Sequence, residues 1–296
     1  MGQIEARSPA VQAISWRESK AVQERVTRWA VRLLLILVGI TFMLPFYWMI
    51  STSLKPDIQL AVFPPVWVPH PLVWSNYADA ITQQPFVLYL QNTVIVCTAS
   101  VTGVVFSSSV CAYGFARIPW PGRNLLFILM LTTLMLPYQV TMIPLFVVFS
   151  KVFHWINSFL PLTVPSFFGD AFSIFLLRQF FMGIPHELTD AAVIDGANEW
   201  RIFTRVILPL AKPALATVAL NVFIGTWNDF LNPLIYLNDA ARFTLTLGLY
   251  SFLGEHASQW QLLYASAVLI TIPPLILFFF AQKIFIQGIA LSGIKG

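Results

Sequence analysis

I-P-H-E-L-T-D-A-A-V-I-D-G-A-N-E-W-R-I-F-T-R-V-I-L-P-L-A-K-P, residues 184–213, is a polar island in a chain that is otherwise mostly hydrocarbon. Two short helices can be read in it. Pro185 suits the first turn of a helix, where its missing N–H costs nothing, and Glu187 and Asp190 bring negative charge near the positive end of the dipole. Leu188, Ala191, Ala192 and Asp195 share one face at i, i+3, i+4, i+7 spacing. Gly196 suits the left-handed conformation that ends a helix, and Asn198 suits the cap of the next, which Pro209 and Pro213 punctuate. The small pair Ala191–Ala192 lets another protein's surface approach closely, which makes residues 187–196 a docking element.

Outward from this island the composition fixes the class. Hydrophobic residues make up 57% of 296 and charged residues 10%, against roughly 25% charged in a soluble domain. Mean hydropathy is +0.74. Apolar runs long enough to span a bilayer make this an all-α, polytopic membrane protein. Six spans are expected, at about 29–53, 90–116, 124–150, 159–181, 210–237 and 260–285. Residues 1–28 form a polar, basic leader in which Val22, Val26, Trp29 and Leu33 keep helical spacing, as an uncleaved anchor lying at the interface would. Residues 29–296 are read as one transmembrane domain with a loop at 182–209. The Pro- and Trp-rich segment 54–89 is expected as an ordered loop on the far side, because its prolines prevent a continuous helix.

Orientation follows from the basic residues. With the N-terminus inside, all of the 17 except Lys55, Lys151 and Arg242 fall on the cytoplasmic side. The expectation is therefore an inner-membrane protein, N-in and C-in, with the 182–209 loop in the cytoplasm. The net charge of +4 is explained by this asymmetry and gives no evidence for nucleic acid.

Conventional catalytic chemistry is not legible. There is no Gly-Lys dipeptide, hence no phosphate-binding loop of that type. The four histidines, His70, His154, His186 and His256, are scattered without metal-ligand spacing. Cys97 and Cys111 lie on one span about 21 Å apart, too far for a disulfide. Polar residues within spans carry more weight, because burying them in hydrocarbon is costly. Asp170, beside Gly169 and after Pro161 and Pro165, suggests a pathway or gate. Asn228 and Asp229, with Asn221 and Asn232 nearby, and Asn92 at the start of the second span, fit either a hydrated pathway or interhelical hydrogen bonding.

The island resembles the cytoplasmic loop of bacterial ABC-importer permeases, whose pattern reads E-A-A-x-x-x-G, nine residues, I-x-L-P. Here it runs Asp190-Ala191-Ala192, Gly196, then Val206-Ile207-Leu208-Pro209, with Asp for Glu and Val for Ile. Ser53-Leu-Lys-Pro56, Phe175-Leu-Leu-Arg-Gln-Phe-Phe181, Trp227-Asn-Asp-Phe-Leu-Asn-Pro-Leu234, and Gln282 to Gly288 through Gly293-Ile-Lys-Gly296 are similar to the carbohydrate-uptake subfamily, specifically the second permease of maltose-type systems. The resemblance implies a type I importer permease fold. It implies a homologous second permease, a cytoplasmic ATPase dimer, an extracytoplasmic solute-binding protein and a sugar substrate. ATP and Mg would be used by the ATPase, with no cofactor and no metal held by this chain. Glu187, Asp190, Ala191, Ala192, Asp195, Gly196, Leu208 and Pro209 would form the ATPase-coupling element, with the tail around Gly293 and Lys295 as a second contact. The competing reading is an ion-coupled secondary transporter, for which only Asp170 and Asp229 are candidate ionisable groups.

Overall fold

The computed structural model describes residues 10–255 and 259–292, and among these every regular element is helical. The helices are α1 (Ala10–Ser53), α2 (Ser75–Thr82), α3 (Phe86–Ala116), α4 (Arg123–Thr132), α5 (Tyr138–Val147), α6 (Leu160–Thr163), α7 (Ala171–Met182), α8 (His186–Ile194), α9 (Glu199–Ile202), α10 (Leu208–Leu210), α11 (Lys212–Trp227), α12 (Leu231–Tyr236), α13 (Leu245–Glu255) and α14 (Trp260–Ser292). The leader from Ala10 onward is not a separate element; it continues unbroken into the first apolar run as α1.

Helix α3 is the axis of the molecule. Thirty-one residues give it a length of about 46 Å, more than a bilayer core requires. Its buried positions recur at helical spacing: Asn92, Val96, Ser100, Gly103, Ser107 and Tyr113. Against this face lie α7, α11 and the segment joining α6 to α7. That segment is tightened from Val164 to Phe168 and then extended at Gly169, whose φ of +95° is open only to a residue without a Cβ. Broken backbone at membrane depth must find partners. The α3 serines supply them: Ser100 Oγ donates to Leu162 O at 3.2 Å and Ser107 Oγ to Ser166 O at 3.1 Å, while Ser108 Oγ accepts from Asp170 N at 3.2 Å. Gly103 allows the approach, since a Cβ there would sit 2.8 Å from the Phe167 ring.

Besides this interruption of the fourth expected span, two more are broken. The third divides at Leu136–Pro137 into arms 123–135 and 138–152, which meet at 96°. Pro137 lacks an N–H and pushes the preceding residue out of the helical region, and Leu136 is indeed extended. The fifth is helical only from Lys212 to Trp227. It turns through 77° from the arm 199–210 and breaks again at Asn228 before α12. Four helical stretches are long and apolar enough to cross a membrane, or up to six if each bent pair counts as one.

At the end of α3 that carries Tyr113, a buried core gathers Ala112, Ile174, Leu177, Phe181, Ile202, Phe203, Ile207 and Ala211. Half of these residues come from the stretch that the sequence presents as a polar island. Its apolar positions are what anchor it. At the opposite end, segment 54–74 folds back on the end of α1, with Ser51 Oγ donating to Trp67 O at 2.6 Å and Asn76 Nδ2 donating to Ser53 O and Lys55 O at 2.9 and 3.0 Å.

Candidate coupling surface

The loop between α7 and α11 is assembled from the termini inward. Pro185, with φ −55° and ψ 138°, sits one residue before α8 rather than in its first turn, and turns the chain out of α7. Helix α8 runs for nine residues and ends at Gly196, whose φ is +75°. The turn is closed by Gly196 N donating to Val193 O and Ala197 N to Ala192 O, each at 2.9 Å. Asn198 then caps α9, its Oδ1 accepting from Arg201 N at 2.9 Å.

No residue of α8 is buried. Leu188, Val193 and Ile194 are exposed, the last at 86%, and Trp200 follows on α9. The two alanines part company: Ala191 is exposed, while Ala192 is half-buried against the core. Only the first therefore offers close approach to a neighbour. Glu187, Asp190 and Asp195 are exposed on the same helix or at its end. Leu208 and Pro209 lie elsewhere, at the corner where the loop turns into α11; Leu208 leans on the core beside fully buried Ile207.

Long-range contacts from Arg117 and Tyr113 fix this loop to the bundle, and Arg178 ties α7 beside it to α3. Arg117, just past α3, donates from Nε and Nη2 to Phe181 O at 3.0 and 2.6 Å, and from Nη2 to Ile184 O. Its Nη1 lies 3.1 Å from His186 Nδ1; because Arg only donates, the imidazole nitrogen accepts. The guanidinium thus adds to the Phe181 carbonyl, which also accepts from Ile184 N at 3.2 Å, and takes up the Ile184 carbonyl just past α7, near a helix C-terminus where positive charge is favoured. Burial pushes the Arg117 pKa below the ordinary arginine value. In return Arg178 Nε donates to Phe115 O at 3.2 Å, with its guanidinium 4.1 Å from the Phe127 ring centroid. Tyr113 OH donates to Glu199 Oε2 at 2.5 Å, and its ring packs on Phe203. Sequence reading missed Arg117, Tyr113 and Glu199, whose partners lie 64 to 86 residues away. The Arg immediately after a span was the one available signal.

The four intramembrane polar residues do not converge. Asp170 is the cap of α7, its Oδ2 accepting from Ser173 N at 2.7 Å. Asn92 Nδ2 donates to Ala241 O and Phe243 O at 3.0 and 2.9 Å, pinning the segment before α13 to α3. Asn228 is exposed and donates to Ile224 O of its own helix at 2.8 Å. Asp229 borders a cavity of about 270 Å³, shared with Tyr138, Asn232, Thr93, Ser100 and Thr244. There Asn232 Nδ2 donates to Asp229 Oδ2 at 2.8 Å and Tyr138 OH donates to Asn232 Oδ1, so the two span breaks meet in one hydrogen-bonded cluster. Gly293 and Lys295 lie outside the described residues.

Residues 103–291, which contain the whole loop and its anchors, match the model of the binding-protein-dependent transport system inner membrane component family. The chain belongs to this family. Its members are membrane transport components, not enzymes. Among relatives, the chain is 32% identical over 282 residues to the arabinooligosaccharides transport system permease protein AraQ of Bacillus subtilis (strain 168), covering 93% of this chain and 98% of that one. It is also 32% identical over 265 residues to the sn-glycerol-3-phosphate transport system permease protein UgpE of Yersinia pestis bv. Antiqua (strain Antiqua), covering 86% and 94%. Its fold is similar to a chain in the crystal structure of a bacterial ABC transporter involved in the import of the acidic polysaccharide alginate, with a TM-score of 0.76, 23% identity, and coverage of 88% and 97%. This family permease therefore carries its exposed loop on an all-helical importer-permease fold.

Proposed function

We propose that this family permease is the transmembrane subunit of an ATP-driven, binding-protein-dependent importer of a carbohydrate or a polyol phosphate, and that α8 couples it to an ATPase. The observation that carries the coupling is the contrast within one loop: an exposed helix with apolar tips at Leu188, Val193 and Ile194, hung from a fully buried Ile207 and Phe181. A rigid, protruding element rooted in the bundle core transmits a partner's movement to the spans. In this reading each bent pair is one crossing, giving six spans with both termini in the cytoplasm. A homologous second permease completes the translocation path, an ATPase dimer using ATP and Mg sits against α8, and an extracytoplasmic binding protein delivers solute. The solute class rests on relatives whose names specify arabinooligosaccharides and sn-glycerol-3-phosphate. Of the polar candidates, Asp229 is the path residue supported by a cavity.

Reconstitution of the whole complex in proteoliposomes tests this. Uptake is expected to require ATP and the binding protein, and Ala191→Cys is expected to cross-link to a cysteine on the ATPase. ATP-independent uptake driven by an ion gradient would instead establish a secondary carrier. Calorimetry on the cognate binding protein identifies the solute.

A further inference from the structure

A pocket of about 240 Å³ lies between the end of α1 and the start of α14, walled by Trp48, Thr52, Lys55, Gln59, Trp260 and Tyr264. Lys55 is only 2% exposed. Its amine has Thr52 Oγ1 at 3.2 Å and the Trp48 ring at 3.8 Å, and no described carboxylate pairs with it. Asp57, the nearest acid in sequence, is exposed. One hydroxyl and one ring face offset little of the cost of removing an ammonium from water, and buried charges are ordinarily paired. Burial accordingly pushes the Lys55 pKa down. The Tyr264 hydroxyl and the Trp260 indole N–H on the same wall are also without hydrogen-bond partners among the described residues. A cation and two donor-bearing residues thus line a space that no carboxylate of a described residue borders.

The place of the pocket says which anion fills it. The apolar stretch of α1 ends at Ser53, two residues before Lys55. Tyr47, Trp48, Trp67, Trp74 and Tyr77 cluster at the same end, with Trp260 opposite. Such aromatic belts mark the headgroup level of a bilayer. Phe46 and Ile50 on α1 remain exposed toward hydrocarbon, where acyl chains would lie. We propose that this pocket binds the phosphate of a membrane phospholipid headgroup, with Lys55 supplying the charge and Trp260 and Tyr264 the neutral donors. The lipid then reinforces the direct packing of α1 on α14, at a helix whose apolar stretch holds no buried residue in its most apolar window.

The test uses the complete importer, partly delipidated in detergent. Binding is read by native mass spectrometry and by the shift in Tm on adding dioleoylphosphatidylglycerol, inorganic phosphate, or a phosphate-free diglycosyl diacylglycerol. The phospholipid is expected to bind and raise Tm for the native protein and for Lys55→Arg. Lys55→Met is expected to bind it about tenfold more weakly or worse, the loss of one charge-assisted hydrogen bond. Equal binding by Lys55→Met, or equal protection by the glycolipid, overturns the site. Full protection by inorganic phosphate alone overturns the lipid assignment and gives the pocket to a soluble phosphate. If Lys55→Met does not assemble, Trp260→Leu decides: Trp260 is 48% exposed, so its removal spares the core, and unchanged phospholipid affinity counts against the proposal.

Discussion

The phenol of Tyr113, one turn from the end of α3, donates to Glu199 Oε2 at 2.5 Å and so joins the central span to the first residue of α9. The two residues are 86 positions apart, and the bond closes the loop that carries α8 back onto the helix at the centre of the bundle. Tyr113→Phe keeps the ring packed on Phe203 and removes only this bond. The expected cost is about 1 kcal/mol, because Glu199 is exposed and water replaces the lost donor. Hydrogen exchange across residues 197–207 should accelerate while α3 itself stays protected.

Arg117 calls for a sharper substitution. Its fork satisfies carbonyls of both Phe181 and Ile184, and a lysine reaches only one point at a time. Arg117→Lys keeps the charge but loses at least one of these hydrogen bonds, at about 1 kcal/mol each. The expected phenotype is normal membrane insertion with solute-stimulated ATPase activity falling further than basal activity, measured side by side in proteoliposomes.

Gly196 has open space around it, so size alone does not exclude a side chain. Its φ of +75° does, at about 1–2 kcal/mol for most residues. Gly196→Val should misdirect the end of α8 and lower ATP-driven uptake severalfold. Gly196→Asn, a residue that tolerates this conformation, should retain most of it; equal loss in both variants would shift the explanation from backbone geometry to direct contact.

Ile194 and Ile207 offer a paired comparison, the one 86% exposed and the other fully buried. Ile207→Ala is expected to cost about 2–5 kcal/mol and to lower the amount of folded permease. Ile194→Ala should leave folding within about 0.5 kcal/mol, yet weaken co-purification of the ATPase. Immunoblots of membranes and of affinity-purified complexes separate the two effects.

Much of the loop was legible because its signals are local. Gly196 and Asn198 act through their own backbone and their immediate neighbours. The span breaks were harder. Pro137 was visible, but prolines also occur inside membrane helices, as Pro45 does in α1, and only the partners available to the freed groups decide between bend and continuity. The capping role of Asp170 was hidden for a related reason: its carboxylate becomes the cap of α7 only because the chain breaks at Gly169. Arg117 and Tyr113 act across long sequence separations and carry no spacing signature.

The serine ladder of α3 has a consequence for how this chain tolerates change. Ser100 and Ser107 grip main-chain carbonyls of the adjoining segment, and main-chain carbonyls are common to every residue type. Saturation mutagenesis should therefore be lopsided: stringent along one edge of the donor helix, permissive at Leu162 and Ser166, whose own side chains play no part in the bonds they accept.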